Sequence, residues 1–385
     1  MADLTSLLGV PVGQVARPDT IPEVVELLQA AKADGRSVVP AGGRSKLGWA
    51  PPPSSCDVLL DLRGLNRILE HPAGDLVVIA EAGVALADLQ AHVGKAGQQL
   101  GLDPPEADAT LGGVVSANAS GPRRLRYGTV RDLLIGVTVV LADGTVAKAG
   151  GKVVKNVAGY DLAKLYTGAH GSLGVVVSTT WRLHPLAPSS GTVIAQVTDA
   201  AHAGRLALDL ARSTLTPSAI ELVGRTGGPL QLVVLFESIA ESVQAQTAAA
   251  AALTGGDIVE RPPPEFGRRP GGPDDVVLRI AHVPSALPAV LDAVPVGTAV
   301  AASASTGVTY AALAGSEGQV SRLSELRAAI TAYDGTAVVL AAPPQLRAEL
   351  DHWGPVGDAL PLMTRVKDQF DPDRRLSPGR FVGGL

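Results

Sequence analysis

Glycine is the residue type here whose placement could do chemistry, because it lets bare backbone N–H groups reach a ligand. Between Pro104 and Pro185 it recurs at Gly112-Gly113, Gly121, Gly128, Gly150-Gly151, Gly159, Gly168, Gly171 and Gly174. β-branched runs at residues 134–141 and 175–180 lie among these clusters. Glycine beside a strand is costly unless the backbone must turn with positive φ or approach something closely. Repeated at several strand ends, it implies main chain wrapped around a long ligand. A dinucleotide fits, since its diphosphate takes bare N–H groups and its rings take flat slots. An earlier loop, Ala41-Gly42-Gly43-Arg44-Ser45-Lys46-Leu47-Gly48, has the same character. It lacks the Gly-Lys-Ser/Thr order of a triphosphate loop, and no G-x-G-x-x-G opens a helix after a strand. Triphosphatase and Rossmann sites are therefore disfavoured.

The elements that position these glycines can be read in order. Thr20 is an N-cap with Pro22 and Glu23 in the first turn, and Val24, Val25, Leu27, Leu28 and Ala31 follow at helical spacing until Asp34-Gly35. Residues 37–40 form a short strand running into the first Gly loop. Strands are expected at 58–62 and 77–80, and a helix at 85–93. Residues 185–190, with two prolines and two serines, read as a hinge. Beyond them strands are expected at 219–223, 231–236, 276–282 and 336–341, with a hairpin of 299–303 and 308–314. Helices are expected at 237–253, 286–294, 319–333 and 345–352. The Pro- and Gly-rich stretch 261–275 reads as a surface loop. Such alternation with short connections predicts an α+β unit with a mostly antiparallel sheet.

Bulk properties narrow the class. The 385 residues are long for one core and comfortable for two domains. At 46% hydrophobic and 18% charged, a packed core is expected rather than disorder. A net charge of −5 without a basic, aromatic-interleaved patch argues against nucleic acid. One cysteine, Cys56, excludes a four-cysteine iron–sulfur cluster or an internal disulfide within these residues. No basic-then-apolar leader is visible, and no apolar run approaches the ~20 residues of a membrane span. With a single cysteine, a reduced, cytoplasmic setting is the expectation, with any membrane association through partner subunits. The sequon-like Asn118-Ala119-Ser120 is then a chance match.

Taken in order, the motifs resemble a known family. A strand leading to Gly42-Gly43-Arg44-Ser45-Lys46 is followed by Thr110-Leu111-Gly112-Gly113, Ser120-Gly121 and Arg126-Tyr127-Gly128. Asp143-Gly144, the run KNVAGYDL at 155–162 and Gly171-Ser172-Leu173-Gly174 complete the set. This order resembles the vanillyl-alcohol-oxidase, or PCMH-type, FAD-binding domain. SGPRR, KNVAGYDL and the tail FDPDRRLSPGRF resemble the FAD-binding subunits of glycolate oxidases (GlcE type).

The resemblance implies an α+β, two-subdomain FAD-binding domain over residues 1–186 and a smaller antiparallel-sheet cap over 187–355. A tail at 356–385 would return to the first domain. Gly42, Gly43, Arg44, Ser45 and Lys46, with Thr110, Leu111, Gly112 and Gly113, would wrap the FAD diphosphate. Asn118, Ser120 and Gly121 would follow the ribityl chain and ring, Gly174 and Val175 the adenosine, and Pro378, Gly379 and Arg380 the flavin edge. Arg126, Tyr127 and Gly128 would lie near the ring or buttress the loop. Many relatives carry a flavin-linking histidine in the first loop; Arg44-Ser45 stands there instead, so non-covalent FAD is expected.

On the substrate side, oxidising a 2-hydroxy acid needs a cation for the carboxylate and a base for the hydroxyl proton. Arg279 resembles an arginine of the family's corresponding strand; the alternative is a strand arginine in a surface ion pair. His282 and His352 are isolated, Glu221 and Glu237 read as strand-end charges, and no H-G-x-x-H-like metal motif is present. The expected function is the FAD-binding subunit of a glycolate-oxidase-like complex acting on glycolate or D-lactate. A paralogous flavin subunit and an iron–sulfur subunit are its expected partners. The alternatives are a self-sufficient FAD-dependent 2-hydroxyacid dehydrogenase and a flavin-binding scaffold without catalysis.

Overall fold

The computed structural model describes residues 5–152, 160–315 and 318–385. Residues 155–159 of the KNVAGYDL run, Gly159 among them, lie outside the described residues. The chain divides into two compact units: Met1–Ser120 with Thr129–Leu186 and Pro355–Leu385, and Gly121–Gly128 with Ala187–Gly354.

The first unit contains two principal sheets. One has the order Ser6–Leu7, Val10–Ala16, Cys56–Asp61, Val38–Ala41, with its last two pairings parallel. Helix Ile21–Ala33 starts where expected: the Thr20 side chain accepts from the Glu23 N–H, and Val24, Leu28 and Ala31 are buried. Burying an aliphatic side chain of this size contributes about 1.5–3 kcal/mol. The other sheet is antiparallel, in the order Ile68–Glu70, Val77–Glu81, Val175–Arg182, Leu134–Val140, Val146–Gly150. Val24 and Leu28 share one core with Val38, Val58, Val140, Val175 and Leu376. The tail is thus part of this core. It is not extended throughout, since residues Leu360–Phe370 form a helix.

The second unit is built on an eight-stranded antiparallel sheet. Its order is Asp257–Val259, Ser189–Val197, Leu230–Ser238, Ala219–Arg225, Ala299–Ser303, Val308–Ala314, Asp275–Ala281, Thr336–Ala341. Helices Ala200–Arg212, Ala240–Thr254, Leu287–Ala293 and Gln319–Thr331 share one apolar core with alternate strand residues such as Val193, Leu222, Leu278, Ala311 and Val339. The order strand–helix–strand–strand–helix–strand therefore occurs twice, once on each half of the sheet.

Three sequence expectations need correction. The stretch read as a hinge runs into strand Ser189–Val197, because Gly191 and Thr192 pair in register with Phe236 and Leu235. The helix expected at 237–253 starts at Ala240, because Glu237 still belongs to strand Leu230–Ser238. The helix expected at 345–352 is a single turn, Pro344–Arg347.

Candidate functional site

In the first unit, the strand Val38–Ala41 feeds a loop that is one wall of a cavity. Pro40, Ala41 and residues 42–47 line it, facing Thr110, Gly112, Gly113, Ser116, Ala117, His170, Gly171, Gly174 and Val176. The space between protein atoms, open to solvent, is about 690 Å³. The glycines are dictated by how closely these walls approach each other. A Cβ on Gly43 would run into the Asp108 carbonyl oxygen, and one on Gly42 into the Thr110 side chain. One on Gly112 would sit 2.8 Å from the Ala82 Cβ. Thr110 caps the short helix Leu111–Ala117, its hydroxyl accepting from the Gly113 N–H at 3.4 Å.

Charge is concentrated in the same wall. Arg44 adopts a left-handed backbone, φ 63°, and reaches the buried Asp61 carboxylate at 3.0 Å. Burial pushes the Asp61 carboxyl up, but hydrogen bonds from Arg63 and the charges of Arg63 and Arg44 outweigh it and leave the group below the usual range. Lys46 is buried beside the wall, 3.5 Å from Glu106 and donating to Ser45 at 3.1 Å. Behind the loop, Arg380 donates to the Leu47 carbonyl at 2.7 Å. It is only 3% exposed, its Nη1 has no hydrogen-bond partner, and among the described residues no carboxylate pairs with it. Burial pulls this guanidinium down to about 10, partly offset by the nearby Cys56. A buried cation with an unfilled donor, beside a glycine-lined cradle, suits an anionic diphosphate.

The tail places Arg380. Leu376 bridges Val38 in parallel, and the Ser377 N–H donates to the Val38 carbonyl at 2.9 Å. Sequence reasoning missed His170, which lines the cavity at φ 52° with its N–H donating to the Ser116 carbonyl at 2.9 Å. It is half-buried, yet protein packing around the ring, then the Arg380 charge, pull its pKa down to about 3. The imidazole is therefore neutral at ordinary pH. Its only trace in the sequence is a histidine set between Gly168 and Gly171, which a reading for glycine spacing passes over.

The expected cofactor residues thus fall into three groups. Gly42, Gly43, Arg44, Ser45, Lys46, Thr110, Gly112, Gly113 and Gly174 line the cavity. Leu111, Asn118, Ser120, Val175, Pro378, Gly379 and Arg380 lie in the same unit but are not among the lining residues. Leu111 is core, Asn118 is the left-handed cap ending its helix, and the Ser120 hydroxyl accepts from the Val130 N–H. Gly121, Arg126, Tyr127 and Gly128 belong to the second unit. There Arg126 donates to the Glu237 carbonyl oxygen, and Arg123 pairs with the Glu237 carboxylate at 2.6 Å. Glu237 is therefore a buried anchor for this segment rather than a strand-end charge.

Arg279 stands on strand Asp275–Ala281 of the second unit, directly opposite Tyr310. Leu278, Ile280 and Ala311 point into the helix-covered core, so Arg279 and Tyr310 occupy the other face of the sheet. Two further guanidinium groups meet the phenol. Arg269 lies 4.7 Å from the ring centroid, and Arg124 reaches the hydroxyl at 3.4 Å. Arg279 is half-buried and makes no hydrogen bond or ion pair among the described residues. The two isolated histidines are structural. His282 bonds Thr309 and the Val283 carbonyl, and His352 the Arg347 carbonyl. Among the described residues no three His, Cys, Asp or Glu side chains are grouped as metal ligands would be. No helix among them is long and apolar enough to cross a membrane.

Comparison with known proteins identifies the first unit's ligand. Residues 12–150 match the family described as "FAD binding domain". An FAD-linked oxidoreductase of Mycobacterium tuberculosis is 32% identical over 211 residues, 55% of this chain and 46% of that protein. Glycolate oxidase subunit GlcE of Escherichia coli is 35% identical over 164 residues, 42% of this chain and 46% of that protein. The chain thus spans about half the length of these curated relatives. The solved structure of an alkyldihydroxyacetonephosphate synthase superposes with a TM-score of 0.72 over 95% of this chain and 77% of its own, at 16% identity. The fold is α+β with a PCMH-type FAD-binding domain, and the cofactor is FAD.

Proposed function

We propose that this chain is the flavin-binding subunit of a 2-hydroxy-acid-oxidising complex, its substrate being glycolate or a related acid such as D-lactate. The observation that carries the substrate reading is Arg279, a half-buried guanidinium without an ionic partner among the described residues. A carboxylate is the natural complement of such a group. FAD, when bound, supplies a two-electron acceptor. The chain's own part is to hold it through the 42–46 loop, the 110–113 turn and the buried Arg380, and to hold the substrate carboxylate through Arg279. With one cysteine, these 385 residues cannot carry a four-cysteine iron–sulfur cluster. Onward electron transfer is therefore assigned to partners, a paralogous flavin subunit and an iron–sulfur subunit. A cytoplasmic complex would reach a membrane only through them. The GlcE relative supports this assignment by its name as a glycolate oxidase subunit.

A second reading, a self-sufficient 2-hydroxyacid dehydrogenase, is favoured by the arginine–tyrosine cluster, which lies wholly within this chain. Anaerobic addition of glycolate or D-lactate to the FAD-loaded chain separates the two. Bleaching of the flavin by the chain alone supports self-sufficiency, and bleaching only after partner subunits are added supports the complex. Absence of reduction in the assembled complex would remove both.

A further inference from the structure

We propose that Tyr310, Arg124, Arg269 and Arg279 form a carboxylate-binding site in which a bound anion and the ionised form of Tyr310 oppose each other. The proposal extends the reading of Arg279 above, naming the rest of its site and a proton that controls it. Its basis is the geometry of one hydroxyl. Tyr310 is 9% exposed, with Arg279 as its cross-strand partner, Arg124 at 3.4 Å from its oxygen and Arg269 over its ring at 4.7 Å. These groups come from three separate stretches of chain, a short helix, the 261–275 loop and a strand, and they converge on one phenol. Of the glutamates on the same sheet, Glu237 pairs with Arg123, and Glu221 accepts from the Gly267 N–H at 2.6 Å, in the loop that carries Arg269.

Burial alone would push the Tyr310 phenol up. The charges of Arg269, Arg124 and Arg279, with the Arg124 hydrogen bond, outweigh that and leave it below its ordinary value. Among the described residues, the charges that act on the phenol are those of Arg269, Arg124 and Arg279. The phenolate of Tyr310 and the carboxylate of a ligand would each be stabilised by these cations. Because both draw on the same cations, each weakens the other, and linkage makes the effect reciprocal. With Tyr310 protonated, its hydroxyl is also a hydrogen-bond donor to the ligand. Ionisation removes that donor and adds a repelling charge. Ligand affinity therefore falls as pH rises through the Tyr310 midpoint, and ligand raises that midpoint.

The test uses the FAD-loaded full chain, with malonate as a carboxylate probe that is not a 2-hydroxy acid. Phenolate absorbance is followed against pH at constant ionic strength, and Tyr310→Phe identifies the Tyr310 component by difference. Without malonate, Tyr310 is expected to titrate below an ordinary tyrosine. Saturating malonate should raise its midpoint by about one pH unit, a tenfold linkage. The shift should shrink in Arg279→Ala and largely return in Arg279→Lys, which also controls for folding. In Tyr310→Phe, malonate affinity should no longer fall at alkaline pH. A midpoint unmoved by malonate, or an unchanged alkaline loss of affinity in Tyr310→Phe, overturns the proposal. Because the readout needs no turnover, malonate linkage in a chain that never oxidises a 2-hydroxy acid keeps this site and removes only the enzymatic reading. Oxidation without linkage removes this site alone.

Discussion

The Lys367 ammonium lies 2.7 Å from the Asp371 carboxylate, with side chains only 1% and 0% exposed. The ammonium also donates to the Ser172 and Leu376 carbonyls at 2.8 and 2.9 Å, so one buried charge ties the tail helix to the turn before Gly174. Asp371 in turn accepts from the Arg375 and Leu376 N–H groups. Burial lowers the Lys367 proton affinity, and Asp371 restores only part of it. The pair thus depends on each member being present.

Lys367→Met is expected to destabilise the protein by about 3–5 kcal/mol, since it leaves the Asp371 charge buried and two carbonyls without their donor. Neutralising the partner as well, in Lys367→Met with Asp371→Asn, should recover at least about 1 kcal/mol by coupling between the two sites. Urea unfolding of the single and double variants reads both. Additive losses would mean the pair is incidental.

Gly43→Ala is expected to weaken FAD binding at least about tenfold while the chain still folds. The added methyl meets the Asp108 carbonyl oxygen, and overpacking of this kind costs about 1–3 kcal/mol. Relief requires the 42–46 loop and the segment leading to Thr110 to separate, which opens the cradle. Flavin retention and fluorescence titration of apoprotein measure it. Unchanged affinity would detach this close approach from cofactor binding.

The cradle was legible because its glycines are forced by contact. At Gly42, Gly43 and Gly112 no side chain fits, and that constraint shows in residue type alone. The strands of the second unit were legible where β-branched and aliphatic residues run together, as in Val276 to Ile280. The first strand there was hidden because Ser189, Ser190 and Gly191 look like a linker, although each has a register partner. Arg279 could be singled out, but its setting could not, since Arg124, Arg269 and Tyr310 are brought together only by folding. The same holds for Glu237, whose partner Arg123 lies 114 residues away.

Arg380→Met separates stability from function. The guanidinium is buried, held by the Leu47 carbonyl and lacking a carboxylate partner among the described residues. Removing an uncompensated buried charge is expected to leave the apoprotein's unfolding midpoint unchanged or raised. FAD affinity should nevertheless fall by about tenfold or more, the range of a hydrogen bond to a charged group. Parallel urea melts and FAD titrations check this. A variant that loses stability but not affinity would make Arg380 a structural tie.

His170 predicts a pH dependence of stability with a definite sign. In the folded apoprotein its pKa is lowered from 6.5 to about 3, by burial and then by Arg380. The unfolded chain therefore binds the extra proton at a higher pH than the folded one. Between about 6.5 and 3 the unfolded state holds more protons, so stability contributed above that window is lost as pH falls through it. His170→Gln should flatten this part of the curve while leaving stability near neutral pH little changed, since glutamine keeps a polar side chain without the titration. Bound FAD should also flatten it, because a nearby diphosphate favours the imidazolium and draws the folded pKa back toward 6.5. Urea midpoints of apoprotein, FAD-loaded protein and variant across this range decide the matter. An acid-side slope identical in all three would show that His170 does not govern it.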